Sequence, residues 1–211
     1  NIGAGSINSS YNTQAAAGSI SAYASGDITI DNVNISTSIK TMSSYYTTWD
    51  NGQMWSYGGM FGIYNQGTGH YTCTDSKIAP VFTSVITSTF VGGMIGWQYV
   101  TKATTSENMT ISGCTVSTKL TSNSLYGWAS GNTVHGRSGG LIALISGDYN
   151  NVGTTGNTIY YPSSIGNETR VKMSLKDTTV DDADIDLSTT SSGINVLTVG
   201  GALGYSWAYM D

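Results

Sequence analysis

Apolar and polar residues alternate through short segments that recur along the chain. Ile28, Ile30, Val33 and Ile35 are apolar with polar residues between them, and Met109, Ile111, Cys114 and Val116 repeat the arrangement. A period of two predicts strands with one face turned inward. The alternation slips by one residue at Asn32 and at Gly113, where a bend or bulge is expected, because Asn and Gly tolerate the backbone it requires. No segment sustains a helical period.

A second pattern alternates with these strands. Gly58-Gly59-Met60-Phe61-Gly62, Gly92-Gly93-Met94-Ile95-Gly96, Gly139-Gly140-Leu141-Ile142-Ala143 and Gly200-Gly201-Ala202-Leu203-Gly204 are copies of one motif, and Ala17-Gly18-Ser19-Ile20-Ser21 is a weaker copy. The partner motif recurs as Val33-Asn34-Ile35-Ser36-Thr37, Cys114-Thr115-Val116-Ser117-Thr118 and Ile185-Asp186-Leu187-Ser188-Thr189, with Cys73-Thr74-Asp75-Ser76 as a degenerate copy. The chain therefore reads as a repeat protein. The step from Gly18 to Val33 nearly equals that from Gly59 to Cys73, while inserts at 41–56, 121–136 and 147–170 absorb the irregular spacing. Regular strands with loops leaving at a corner predict an all-β, right-handed parallel β-helix (solenoid) with irregular loop insertions between coils. The handedness follows the general bias of parallel crossovers. Residues 1–16 form a cap, a linker or an exchanged segment, and 17–211 form the solenoid of about five Gly-Gly repeats. An uncapped end at Asp211 would offer unpaired strand edges to further repeats or to a stacked subunit.

A Gly-Gly pair, two apolar residues and Gly, followed by Ile-Ser-Gly-Cys-Thr-Val, occurs at residues 92–96 and 111–116. This resembles the GLUG-type repeats of secreted bacterial surface proteins. It is also similar to the Gly-Gly-Ala-Ile repeats of polymorphic outer-membrane proteins, although the Phe-x-x-Asn partner motif of that family is absent. The resemblance covers about 17–211. It implies a β-helix that serves as adhesin, passenger domain or surface fibre, with no shared catalytic residues to carry over.

Composition narrows the function further. Charged residues make up 10% of the chain, against about 25% in an average soluble protein. Ser, Thr and Asn carry the solvation instead, a balance expected on cell exteriors. Net charge is −5, and Arg137 and Arg170 are the only arginines. With no basic cluster, nucleic acid and anionic membrane surfaces are excluded as partners. No apolar run is long enough for membrane insertion. The 39% hydrophobic share supports a real core.

Several residues are candidates for chemistry or contact. Cys73 and Cys114 follow the same strand pattern, and read either as a disulfide or as two buried thiols. Asp182, Asp184 and Asp186 alternate with apolar residues, so a strand there lines three carboxylates on one face; Ca2+ would relieve their repulsion, and the alternative is a solvated face. The same run could serve a polysaccharide lyase or glycoside hydrolase, but its cations are local rather than drawn from successive coils. Trp49, Trp55, Tyr57, Trp128 and Trp207 are candidate glycan or partner contacts. Tyr23, Tyr64, Trp97 and Tyr205 lie at nearly one offset after their glycines, which predicts an aromatic column. Asn8, Asn34, Asn108 and Asn167 sit in glycosylation sequons. His70 and His135 carry no catalytic signature. The sequence thus favours an extracellular structural protein without a cofactor, associating end to end or through further repeats. A glycan-binding adhesion module is the alternative, and an enzyme acting on polysaccharide is the third reading.

Overall fold

The computed structural model describes residues 16–40, 55–66, 69–83, 89–99, 108–121, 134–146, 170–181, 184–186, 195–206 and 209–210. Most of the three inserts lies outside these residues. Among the described residues the secondary structure is all strand. The strands fall into successive layers. The first holds β1 (Ala16–Gly18), β2 (Ser21–Ser25), β3 (Ile28–Asp31) and β4 (Asn34–Lys40). The second holds β5 (Trp55–Gly58), β6 (Phe61–Asn65), β7 (Tyr71–Thr74) and β8 (Lys77–Thr83). In the third, β9 (Thr89–Gly92), β10 (Ile95–Tyr99) and β11 (Met109–Ser112) are followed by a split fourth strand, β12 (Thr115–Val116) and β13 (Lys119–Thr121). The fourth runs from β14 (Val134–Gly139) and β15 (Ile142–Ser146) through β16 (Arg170–Val171), β17 (Met173–Lys176) and β18 (Thr179–Val180) to β19 (Asp184–Asp186). The last contains β20 (Asn195–Gly200), β21 (Leu203–Ser206) and β22 (Tyr209–Met210).

Each strand pairs with its counterpart in the next layer, and every pairing among the described residues is parallel. The first face runs β1-β5-β9-β14-β20, the second β2-β6-β10-β15-β21 and the third β3-β7-β11-β17; the fourth joins β4 to β8, β8 to β12 and β13, and these to β18 and β19. The register aligns Gly18, Gly58, Gly92, Gly139 and Gly200 in one file. Gly18 thus matches the first glycine of each pair, not the second as the weaker copy of the motif suggests. In the middle layers both positions of the pair are closed to a side chain. A Cβ on Gly58 would meet the carbonyl of Phe61 across its own corner, and one on Gly93 would meet the carbonyl of Gly140 in the next layer. Ser19 takes the second position in the first layer, where its Oγ donates to Thr37 Oγ1 at 2.6 Å.

The slips of alternation are bends between the third and fourth faces. Asn32 (φ 51°), Asp75 (φ 47°), Gly113 (φ 64°) and Asp177 (φ 49°) all take the left-handed conformation. They are the next residues after register partners Asp31, Thr74, Ser112 and Lys176. The ladder passes through the bend without a break: Asn32 N donates to Thr74 O at 3.1 Å, Asp75 N to Ser112 O at 3.0 Å and Gly113 N to Lys176 O at 3.0 Å. Asn and Asp are the non-glycine residues that most readily accept this backbone.

The interior is an apolar file structure. Ile30, Cys73, Ile111 and Leu175 stack in one file, and Ile35, Ile78, Val116 and Val180 in another. The middle layers bury these residues completely, each worth about 1.5–3 kcal/mol for a full-sized aliphatic side chain. A smaller cluster of Ile63, Phe90, Trp97, Ala143 and Leu144 packs separately from this core.

Candidate functional site

Cys73 and Cys114 are both buried and carry free thiols, with 3.7 Å between their sulfurs. They are not register partners. Cys73 lies beside Ile30 and Ile111, whereas Cys114 follows the bend, level with Ser76 and Thr178. Ser76 Oγ donates to Thr74 O at 2.7 Å, and Cys114 Sγ lies 3.4 Å from Ser112 O in the same role. Burial, and next the neighbouring Cys114, pushes the Cys73 thiol up to about 12. Such a thiol carries little thiolate and is a poor nucleophile at neutral pH.

The aromatic column resolves into two files. Tyr23, Ile63, Trp97, Leu144 and Tyr205 are register partners; Tyr64 belongs to the adjacent file with Ala24, Gln98 and Ile145. Phe61 and Tyr64 both enter the main core while Ile63 joins the smaller cluster, so strict alternation breaks at Gly62. A Cβ on Gly62 would press within 2.6 Å of Ala17 N, so the second face runs close against the first there. Tyr64 OH donates to Gly26 O at 2.7 Å, and burial raises its pKa far above the usual tyrosine value. Tyr23, by contrast, is 54% exposed. Tyr57 is 4% exposed, which removes it from the surface contacts expected of it. Trp55 lies on β5; Trp49, Trp128 and Trp207 lie outside the described residues.

Asp182 also lies outside the described residues. Asp184 is exposed on β19, and its register neighbour is Lys119; Asp186 neighbours Thr121. A cation thus stands beside the acidic run on the adjacent layer. Among the described residues no group of three His, Cys, Asp or Glu side chains is placed to hold a metal. Asp27 accepts from His70 N at 2.8 Å, and this bond above all, then the His70 side chain, holds its carboxyl below the usual value.

Of the sequons, Asn34 is exposed on β4. Asn108 is buried: its Oδ1 accepts from Lys172 N at 2.9 Å, and its carbonyl accepts from Gln66 Nε2 at 3.0 Å. A side chain locked this way cannot carry a glycan without breaking the layer, so that candidate is withdrawn. Asn8 and Asn167 lie outside the described residues. Sequence reading missed the polar chain that Asn108 belongs to. Gln98 Nε2 donates to Gln66 Oε1 at 2.6 Å, and Gln66 Nε2 also reaches Gly69 O at 3.2 Å. The available signal was a glutamine within β10 and another just after β6.

The faces that differ most from the rest are the two ends. The exposed large hydrophobics include Ile20 (39%) and Tyr23 in the first layer, Leu175 (46%) on β17 and Val199 (53%) on β20. Among the described residues Tyr23, Leu175 and Val199 lie on outermost strands of their sheets, and Ile20 lies in the connection between β1 and β2. The equivalent positions in the middle layers, such as Met60, Met94, Ile111 and Val91, are buried. The arrangement presents hydrogen-bonding strand edges and apolar side chains together, which is the chemistry of β-strand addition. Comparison with models of protein families, with curated proteins and with solved structures finds no match.

Proposed function

We propose that this chain is a stiff structural segment of an extracellular surface filament or adhesin, built as a right-handed parallel β-solenoid of the kind its GLUG-like motifs resemble. The observation that carries this reading is the constant register through all layers combined with apolar side chains exposed at both ends. Layers that repeat one register accept another layer of the same kind. A head-to-tail contact between two different ends does not close on itself and propagates as a filament. The low charge and the hydroxyl-rich outer positions fit an extracellular setting. The reading assigns no catalytic residue and needs no cofactor. The test is sedimentation and negative-stain imaging of the purified chain over a range of concentrations. Rods that lengthen with concentration are expected; a monomer at every concentration overturns the reading.

A further inference from the structure

The repeat itself brings the two buried thiols together. Val33, Ser76, Cys114 and Thr178 each follow the left-handed residue of their bend. In the fourth layer Thr178 Oγ1 reaches back one layer and donates to Ile111 O at 3.2 Å. Cys114 Sγ reaches back in the same way from the third layer and lies 3.5 Å from Cys73 O. In these two layers the station after the bend thus sets its side-chain heteroatom against an inner-file residue of the layer before. That file residue is Cys73 in the second layer, where the first, third and fourth layers have Ile30, Ile111 and Leu175. Among the described residues, sulfur meets sulfur only between the second and third layers, at 3.7 Å. We infer that Cys73 and Cys114 form a covalent modification site, at which a disulfide-class oxidant joins them and staples the second layer to the third.

A disulfide holds its sulfurs about 2.05 Å apart, so the two side chains have about 1.7 Å to close from the 3.7 Å of the reduced pair. Closing it strands no strong donor, because Cys114 gives up only weak S–H contacts to Ser112 O and Cys73 O. Ser112 O keeps its bond from Asp75 N at 3.0 Å. Cys73 is fully buried and Cys114 is 1% exposed, so the oxidant reaches them as the chain folds, before the layers close. One protein thiolate attacks a sulfur of oxidised glutathione, which forms a mixed disulfide and releases one glutathione thiolate. The other protein thiolate then attacks the protein sulfur of that mixed disulfide. The Cys73–Cys114 bond forms and the second glutathione leaves. The two protons lost by the protein thiols go to the two glutathione thiolates, and the two electrons pass from the protein to glutathione disulfide. The sulfurs are 41 residues apart in sequence, so the bond removes much loop freedom from the unfolded chain. It also adds a covalent cross-link between layers whose faces are otherwise joined by ladder bonds and packing. The inference stands on the sulfur geometry and is independent of the filament reading.

The test refolds the full chain from urea in two buffers, one with a reduced and oxidised glutathione pair and one with a phosphine reductant. Each product is unfolded again, treated with iodoacetamide and weighed by mass spectrometry. The glutathione product is expected to be a monomer lighter by two hydrogens than the reduced chain, closed to alkylation, and to give one proteolytic fragment joining Cys73 to Cys114. Its melting temperature should lie about 5–15 °C above that of the reduced product. Cys114→Ser places a hydroxyl at a station that Ser76 and Thr178 already fill with hydroxyls, so it should fold and melt alike in both buffers. Two alkylated thiols in the glutathione product overturn the proposal, as does a linked chain that melts no higher than the reduced one. A difference between buffers that persists in Cys114→Ser overturns it too. Filament length is not read, so failure here leaves the filament reading standing.

Discussion

Cys114 and Thr178 occupy the same station in adjacent layers. Thr178 Oγ1 donates to Lys176 O at 3.0 Å and Ile111 O at 3.2 Å; Cys114 Sγ lies 3.4 Å from Ser112 O and 3.5 Å from Cys73 O. The thiol therefore stands in for a hydroxyl that tethers the bend to two carbonyls. Cys114→Ser is expected to change unfolding free energy by less than about 1 kcal/mol, since the hydroxyl finds both acceptors ready. Cys73→Ser, in an aliphatic file, should cost about 1–3 kcal/mol more. Urea melts of the two variants check the contrast; equal losses would refute the assigned roles.

The paired glycines give a sharper contrast. Gly93→Ala drives a methyl into the Gly140 carbonyl and Thr118 Oγ1, so a loss beyond about 3 kcal/mol or failure to fold is expected. Gly201 has open space where its Cβ would stand. Gly201→Ala should leave the monomer's melting within about 0.5 kcal/mol of wild type. In a stack the same methyl would meet the incoming copy, so filament length should fall while monomer stability holds. Sedimentation of the variant measures this directly.

The left-handed bends predict a backbone effect independent of packing. Asp177→Gly should be neutral or slightly stabilising, and Asp177→Val should cost about 1–2 kcal/mol, because a β-branched residue pays the full left-handed penalty. Thermal unfolding of both variants tests it, with Asp181→Val as an exposed control.

Alkaline pH should destabilise the fold. The buried Cys73 thiol is raised from 9.0 to about 12, so its folded form favours the proton more than the unfolded one does. The associated stability is present in full below 9.0 and is lost as pH climbs toward 12. Tyr57, Tyr64 and Tyr71 shift in the same direction by burial. Melting temperature should therefore fall steeply over that interval, and Cys73→Ala should flatten the early part of the fall.

Much of this architecture was legible in the residues. The bends at Asn32 and Gly113 showed as slips in alternation, because a left-handed residue rotates the following side chains by one position. The strand pairing of like motifs followed from their recurrence. Gly18 was misaligned by one because Ser19 fills the second position of its corner, where every other layer has glycine. Tyr64 was grouped with Tyr23 because the break at Gly62 is a backbone event with no hydrophobic signature. Asn108 read as a sequon because the pattern Asn-x-Thr is blind to burial, and its partners Gln66 and Lys172 are distant in sequence.

In every sheet the ladder bonds point along the stacking direction, from one layer to the next. A load pulling the ends apart therefore acts on the bonds of each interface directly, and all faces of that interface share it until they part together. Bending and compression are instead resisted by the backbone and the packed side-chain files. The proposed filament should therefore break between layers under tension, with the pieces able to rejoin at the fracture.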